Sequence, residues 1–580
     1  MNKPLAIGID DFKKMIEGEY YFVDKSPFIK ELLDNKGEVN LFTRPRRFGK
    51  TLTLSMLRYF FEKEEYLLSG SLDTQTCKSE LLFKGFKIME AGDKYLNHMG
   101  KYPVISLSLK SAKQPDFKMA YASLVDEIGK EYERHDYILQ SADITESNKA
   151  RFRAIINKKA DSIDYAKALE FLSRLLHTCH QEKVIILLDE YDVPLENAYF
   201  AGFYKEMLDF IRSLFESALK SNLSLEFAVI TGCLRISKES IFTGLNNLDM
   251  NSILDNRYSE YFGFTKEETE KLLAAYGLED KREDAGEWYD GYLFGETEVY
   301  NPWSIINYVK SISGNPNVFP KPYWANTSSN QIVQKLVEKS NIQVKHEIEI
   351  LIEGGTIEKP VHEDITYEDI YTTQDNLWNF LFFTGYLKKS GERFYGDTLY
   401  LNMSIPNTEV RYIYRNTILE WFDRKVKDTD LGQLYQAVIE GDQEVFGTMV
   451  SDQLMETISF YDYAENYYHG FLLGLLKGCP GYVFLSNRES GVGRKSNCVA
   501  LDVIMKPPSV RGQAIIMELK VVKEFDRMES ACEEALRQID EGDYAAGLYK
   551  EGYRKVIKYG ICFYRKECFV KISVDSDHLN

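Results

Sequence analysis

The chain has 580 residues, 44% hydrophobic and 28% charged, which is the balance of a soluble globular protein. Its formal net charge of −18 argues against a chain that coats nucleic acid through bulk charge, while leaving room for a local basic groove. No apolar run reaches the ~18 residues that span a bilayer and no apolar leader core opens the sequence, so no membrane partner and a cytoplasmic location are expected. At ~100–200 residues per domain, the length suits three or four domains. The cysteines are scattered, with no C-x-x-C pair and no accompanying His cluster, which points to reduced thiols and not to zinc.

In chain order, VNLFT at 39–43 reads as a short buried strand, followed by RPRRFGKT and the apolar-periodic helix LTLSMLRYFF. PVISLSL at 103–109 reads as a second strand, 164–181 as a helix, and VIILL at 184–188 as a strand ending in Asp189 and Glu190. A helix at about 203–221 and the strand LEFAVIT follow. Strands alternating with helices predict βαβ units and a mostly parallel sheet. From Phe264 the pattern turns to a charged amphipathic helix and Gly-, Pro- and aromatic-rich punctuation, read as a helical lid over 263–329. Residues 330–450 read as a helical, winged-helix-like region, because NLWNFLFFTGYLKKSG and TLYLNMSIPN give a helix and two short strands. The segment 451–580 reads as α-β-β-β-α-β, ending on the strand KVIKYGICFYR.

Binding a nucleotide's phosphates takes backbone N–H groups at a helix N-terminus, a lysine, and a hydroxyl for Mg²⁺. Arg46, Arg47, Phe48, Gly49, Lys50, Thr51 and Leu52 supply such a loop between a strand and a helix. The position where a phosphate loop has its first glycine holds Arg44, a residue that tolerates positive φ poorly. Arg44, Arg46 and Arg47 read equally as anion contacts or as a solvated basic run. Asp189 would join Thr51 in holding Mg²⁺, and Glu190 would polarise the attacking water. Thr231 and Arg235, at and beyond the end of LEFAVIT, are candidates to sense the γ-phosphate.

FVDKS, RPRRFGKTLTLSML, LLDEYDVPL, ITGCLRISKESIFTGLNNL, YDGYLFG and YNPWSI together resemble the bacterial AAA-ATPase-like family of P-loop proteins. Its members typically carry a C-terminal domain of the PD-(D/E)XK nuclease superfamily, and RPRRFGK in place of the first loop glycine is typical of it. The resemblance covers nearly the whole chain and implies ATP as ligand. It implies an ATPase domain over 1–262, followed by the lid, the linker region 330–450 and a restriction-endonuclease-like domain over 451–580. Asp24, Arg235, Asn246, Asn247 and Asn301 lie in the family's motifs, where they read as ligand contacts or as turn and capping residues.

Metal-dependent phosphodiester cleavage needs clustered carboxylates for Mg²⁺ or Mn²⁺ and a lysine near the attacking water. In the strand AIIMELKVV, Glu518 and Lys520 share one face and Leu519 takes the other. Asp502, in ALDVIMKP, is the candidate partner acid, so the metal set is Asp502 with Glu518 here and Thr51 with Asp189 at the nucleotide. The nuclease superfamily usually has a G-R-x-D run, where this chain has Gly493-Arg494-Lys495-Ser496. NCVALDV is therefore read as an insertion that leaves Asp502 in the metal position. Glu465 resembles the superfamily's helical acid and Gln538 its helix polar residue; each also reads as an ordinary helix-face residue. The expected function is an ATP-regulated or ATP-driven nuclease acting on DNA or RNA. The alternative is a non-catalytic ATP-dependent switch whose nuclease-like domain binds nucleic acid or a protein. An oligomer is compatible with either.

Overall fold

The computed structural model describes residues 3–63, 78–234, 241–242, 245–315, 317–324, 342–361, 367, 370, 373–416, 431–456, 465–485, 503–542 and 544–576. The chain divides into two compact units, Met1–Thr327 with Thr356–Tyr412, and Ser328–Gly355 with Ile413–Asn580. No helix among the described residues is long and apolar enough to cross a membrane.

The first unit is built on a parallel sheet of β1 (Val39–Thr43), β2 (Val104–Ser108), β3 (Val184–Asp189), β4 (Leu225–Gly232) and β5 (Leu248–Asn251), in the order β2-β3-β4-β1-β5. Every residue of β1 and β3 is buried. Strands covered on both faces read as continuous apolar runs, which is why VNLFT and VIILL stand out in the sequence. The covering helices include α1 (Lys50–Phe61), α2 (Phe117–Arg134), α3 (Ala168–His180), α4 (Val193–Ala201) and α5 (Tyr204–Leu219). Because β4 lies between β1 and β3, the carboxyl ends of all three open side by side, where α/β sheets bind ligands.

Beyond the sheet, β6 (Phe264–Thr265), β7 (Tyr292–Phe294) and β8 (Thr297–Tyr300) form a small antiparallel sheet. It carries α6 (Lys266–Ala275), started by a Thr265–Glu268 capping box, and α7 (Pro302–Gly314). Asn301 is buried and caps α7, its Oδ1 accepting from the N–H groups of Trp303 and Ser304 at 3.0 and 3.4 Å. Asp24 likewise accepts from the N–H groups of Ser26 and Lys87, at 2.9 and 2.8 Å. The third sheet joins β9 (Ile357–Pro360), β10 (Lys388–Tyr395) and β11 (Thr398–Ser404) in the order β10-β11-β9, with α8 (Gln374–Phe383) preceding the β10–β11 hairpin.

A buried carboxylate ties this region to α7. Glu409 is fully buried and accepts from Ser304 Oγ and from the Trp324 N–H, both at 2.7 Å. Burial pushes its carboxyl up from 4.5 to about 7. A carboxyl that holds its proton more tightly folded than unfolded favours the fold at low pH. That advantage is lost as pH rises from the unfolded value through the folded one. Glu409→Gln, which mimics the protonated form, should match wild type near pH 4.5 and exceed it by about 3 kcal/mol above about pH 7. Denaturant unfolding of both proteins across that range checks this; a difference that does not change with pH contradicts it.

The second unit has the sheet β12-β13-β14-β15-β16, formed by β12 (Val483–Leu485), β13 (Val503–Lys506), β14 (Gln513–Val521), β15 (Lys555–Tyr564) and β16 (Glu567–Ser576). Only β14 and β15 run parallel; the other pairs are antiparallel. One face, with Met517, Leu519 and Ile561, packs on α9 (Gly432–Glu440), α10 (Gln443–Glu456) and α11 (Glu465–Leu476). The other, with Ile516, Val556 and Cys562, packs on α12 (Met528–Glu541) and α13 (Tyr544–Lys550). The sequence reading stops at KVIKYGICFYR, but the structure adds α13 and the final strand β16. The hairpin between β15 and β16 turns at Arg565, at φ 51°, without the glycine that usually announces such a turn.

Candidate functional site

The loop from β1 to α1 is shaped by side chains where a standard phosphate loop uses glycine. Gly49 caps α1 at φ 84°, and the other left-handed residue is Arg47 at φ 70°. At Arg44, where the loop entry is expected to depart from the standard one, φ is not positive. Its buried side chain donates through Nη1 to the carbonyls of Thr43 and Asn251, at 2.9 and 2.7 Å. The guanidinium lies 5.2 and 5.3 Å from the rings of Phe262 and Phe294, and burial lowers its pKa to about 9. Arg44 therefore anchors the start of the loop to the end of β5, and both readings of it, as an anion contact or as part of a solvated basic run, are corrected. Arg46 pairs with Glu196 of α4. Arg47 stacks 4.3 Å from Trp303 of α7. Phe48 is buried against Tyr292 and Phe294, ring centroids 4.9 and 5.2 Å apart.

Behind the loop, charged and hydroxyl groups converge at the strand ends. Lys50 is buried, and its Nζ donates to the carbonyls of Arg44 and Pro45, both at 2.9 Å. Thr51 Oγ1 donates to Asp189 Oδ2 at 2.7 Å and Thr231 Oγ1 to Asp189 Oδ1 at 2.6 Å. One carboxylate thus joins the ends of β3 and β4 to the first turn of α1. Glu190 follows at φ 53°, its carboxyl raised by burial first and by Asp189 next. Arg235 lies outside the described residues.

Two features escape local sequence reading. The first is Asp192, buried, whose Oδ2 accepts from the N–H groups of Cys233 and Leu234 at 2.7 and 3.1 Å. With the Tyr191 hydroxyl donating to the Leu234 carbonyl at 2.6 Å, it clamps the chain leaving β4. A side chain on Gly232 would strike the Tyr191 ring at 2.5 Å, so this approach requires glycine. The third acid of LLDEYD was the available signal. The second is an apolar pocket of about 90 Å³ beside Gly49 and Leu52, walled by Tyr21, Val23, Met56 and Phe264. Lys25 lines it and donates to Glu268 Oε2 of α6 at 2.6 Å. Its walls come from four stretches far apart in sequence, so no local pattern could reveal it.

In the second unit, Glu518 and Lys520 share the face of β14 that packs on α12, while Leu519 is buried in the opposite core. Glu518 is fully buried; Lys520 Nζ lies 3.4 Å from its Oε1 and donates to Gln538 Oε1 on α12 at 2.6 Å. The Gln538 amide nitrogen is buried with no partner among the described residues. Glu465 opens α11. Asp502 and Ser496 lie outside the described residues.

The helix reaches Lys520 because β15 carries Gly560 opposite Glu518. A Cβ at Gly560 would stand 2.2 Å from the Cys532 carbonyl oxygen and 3.0 Å from Leu536 Cγ. Gly560→Ala must push α12 off the sheet and draw Gln538 from Lys520. The expected cost is about 1–3 kcal/mol of stability in this unit, read as an earlier unfolding transition. An unchanged transition would contradict the tight helix–sheet contact.

Comparison with known proteins agrees with this geometry. Residues 6–242 match the family model described as a predicted AAA-ATPase, and residues 463–572 that of the PD-(D/E)XK nuclease superfamily. An Azotobacter chroococcum mcd 1 protein, named as an uncharacterized protein in the vnfD 5′ region, is 30% identical over 336 residues. The match takes in 56% of this chain and 54% of that protein, so the chain spans about half the length of this curated relative. The chain is thus similar to predicted AAA-ATPases over residues 6–242 and to the PD-(D/E)XK nuclease superfamily over residues 463–572.

Proposed function

We propose that the chain binds ATP and is an ATP-regulated, metal-dependent nuclease that hydrolyses phosphodiester bonds in DNA or RNA. The observation that carries the first half is the convergence of Lys50, Thr51, Asp189 and Thr231 at the start of α1. The α1 N-terminus offers backbone N–H groups and the positive end of the helix dipole to the phosphates. Lys50 turns from the loop carbonyls to the β- and γ-phosphates. Arg46, Arg47 and Phe48 shape the loop around them, and Leu52 leads to the apolar pocket, which takes the base. The Thr51 hydroxyl and an Asp189 oxygen are hard donors already 2.7 Å apart, a set that suits Mg²⁺. Thr231 reports the γ-phosphate through Asp189, and Arg235 is a second candidate for that role.

Glu190 accepts the proton of the attacking water, and its burial suits a base that must also release that proton. Glu190→Gln should keep ATP binding and slow hydrolysis about 10²–10⁴-fold. Phosphate-release kinetics beside a binding titration check this; unimpaired hydrolysis would remove Glu190 from the role.

The nuclease half rests on Glu518, Lys520 and Gln538 in contact. A divalent ion held there would supply an activated water and charge neutralisation at the phosphate. Among the described residues no group of three or more His, Cys, Asp or Glu is placed to hold a metal, so Glu518 needs the partner acid proposed at Asp502. Asp502 is bonded to Val503, which pairs with Met517, the residue before Glu518. Val503 and Met517 are buried on the face opposite Glu518. Lys520 orients the water, Gln538 holds Lys520, and Glu465 is the proposed helical acid. The functional division is an ATPase domain (1–262), a lid (263–329), a winged-helix-like linker (330–450) and the nuclease domain (451–580), in a cytoplasmic protein. Ser496, where the superfamily's run has its acid, favours the second reading, a non-catalytic switch. Cleavage assays on single- and double-stranded DNA and RNA, in Mg²⁺ or Mn²⁺, separate the two readings.

A further inference from the structure

Residues beyond the sheet and lid reach back to the phosphate loop. Gly385, at φ 90°, lies so close that a Cβ there would stand 2.8 Å from Pro45 Cβ. Its neighbour Tyr386 is buried, its ring tilted against Trp324 with centroids 4.9 Å apart, and lies near Arg46. Tyr367 is also buried near Arg46 and stacks 6.3 Å from Tyr199 of α4, the helix that carries Glu196. It packs 6.3 Å from Phe380 of α8 as well. Pro45 is therefore held from two sides, its carbonyl by Lys50 and its ring by Gly385. The next residue, Arg46, is held by Glu196 beneath Tyr367 and Tyr386.

We propose that Thr356–Tyr412 regulates the nucleotide site by clamping Pro45 and Arg46, with the Arg46–Glu196 ion pair as the latch that ATP phosphates must break. The proposal rests on the ATP-binding reading above. A phosphate that draws Lys50 off the Pro45 carbonyl frees one side of Pro45. A phosphate that draws Arg46 off Glu196 removes the charge that holds α4 and Tyr367 against the loop. Both changes loosen the packing of α8 and the β10–β11 hairpin. Linkage makes the effect reciprocal: whatever loosens that packing raises ATP affinity by the factor with which ATP loosens it.

The test is an ATP titration with amide hydrogen exchange on the full chain, comparing wild type, Glu196→Gln and Gly385→Ala. Glu196→Gln keeps the side chain's shape and removes the charge that holds Arg46. It should raise ATP affinity about 5-fold or more. Gly385→Ala, which crowds Pro45, should shift affinity the same way. In wild type, ATP should speed exchange across 374–404, and in Glu196→Gln that change should shrink. Equal or weaker ATP binding by Glu196→Gln, or exchange across 374–404 that ATP does not alter, overturns the proposal. Wild type that fails to bind ATP sinks the nucleotide reading and the regulation together, whereas binding with an unresponsive Glu196→Gln sinks the regulation alone.

Discussion

Lys50→Ala is expected to lose ATP affinity by about 30-fold or more, corresponding to about 2 kcal/mol. Lys50 is the buried cation at the start of α1, and its Nζ already lies within the loop, on the carbonyls of Arg44 and Pro45. Alanine removes the charge that would meet the β- and γ-phosphates. Arg44 is committed to Asn251 and two aromatic rings and does not take its place. The fold should survive, because the anchors of the loop are Arg44, Arg47 and Phe48. Calorimetry with the β-sheet signal unchanged reads the loss directly. Undiminished binding would move the nucleotide away from this loop.

Lys520→Ala is expected to lose nucleic-acid cleavage by about 10²–10⁴-fold. Lys520 touches both Glu518 and Gln538. Removing it leaves the carboxylate for the metal but nothing to orient the water. Glu518 is fully buried, so losing its cation also destabilises the second unit, by up to about 3–5 kcal/mol. Lys520→Gln, which keeps a hydrogen-bonding group beside Glu518 and Gln538 but no charge, should recover only part of the stability and none of the cleavage. ATP binding should be unchanged in both variants, because Lys50, Thr51, Asp189 and Thr231 belong to the first unit and Lys520 to the second. Cleavage equal to wild type in Lys520→Gln would place the chemistry elsewhere or favour the switch.

What could be read from sequence follows from where the information sits. The strands β1, β3 and β4 were legible because burial on both faces leaves apolar runs, and Asp189 because it ends one of them. Glu518 and Lys520 were legible because charges inside an apolar strand need a reason. The role of Arg44 was not, since it depends on Asn251, Phe262 and Phe294, which only the folded chain brings to it. The apolar pocket and the Gly385–Pro45 contact are assembled from distant segments in the same way. Gly560 gives no local signal either, because its importance comes from a helix backbone lying over it. The strand β16 alternates plainly enough, but its turn at Arg565 lacks the residues that mark a hairpin.

The central claim is that one chain couples an ATP site to a metal-dependent nuclease. Its most direct test is the cleavage rate of wild type on a panel of DNA and RNA substrates in Mg²⁺, with and without ATP, beside Lys50→Ala and Lys520→Ala. The account predicts cleavage by wild type that changes on adding ATP, cleavage by Lys50→Ala that does not respond to ATP, and none by Lys520→Ala. Cleavage retained by Lys520→Ala, or no cleavage by wild type on any substrate with ATP bound, would contradict it.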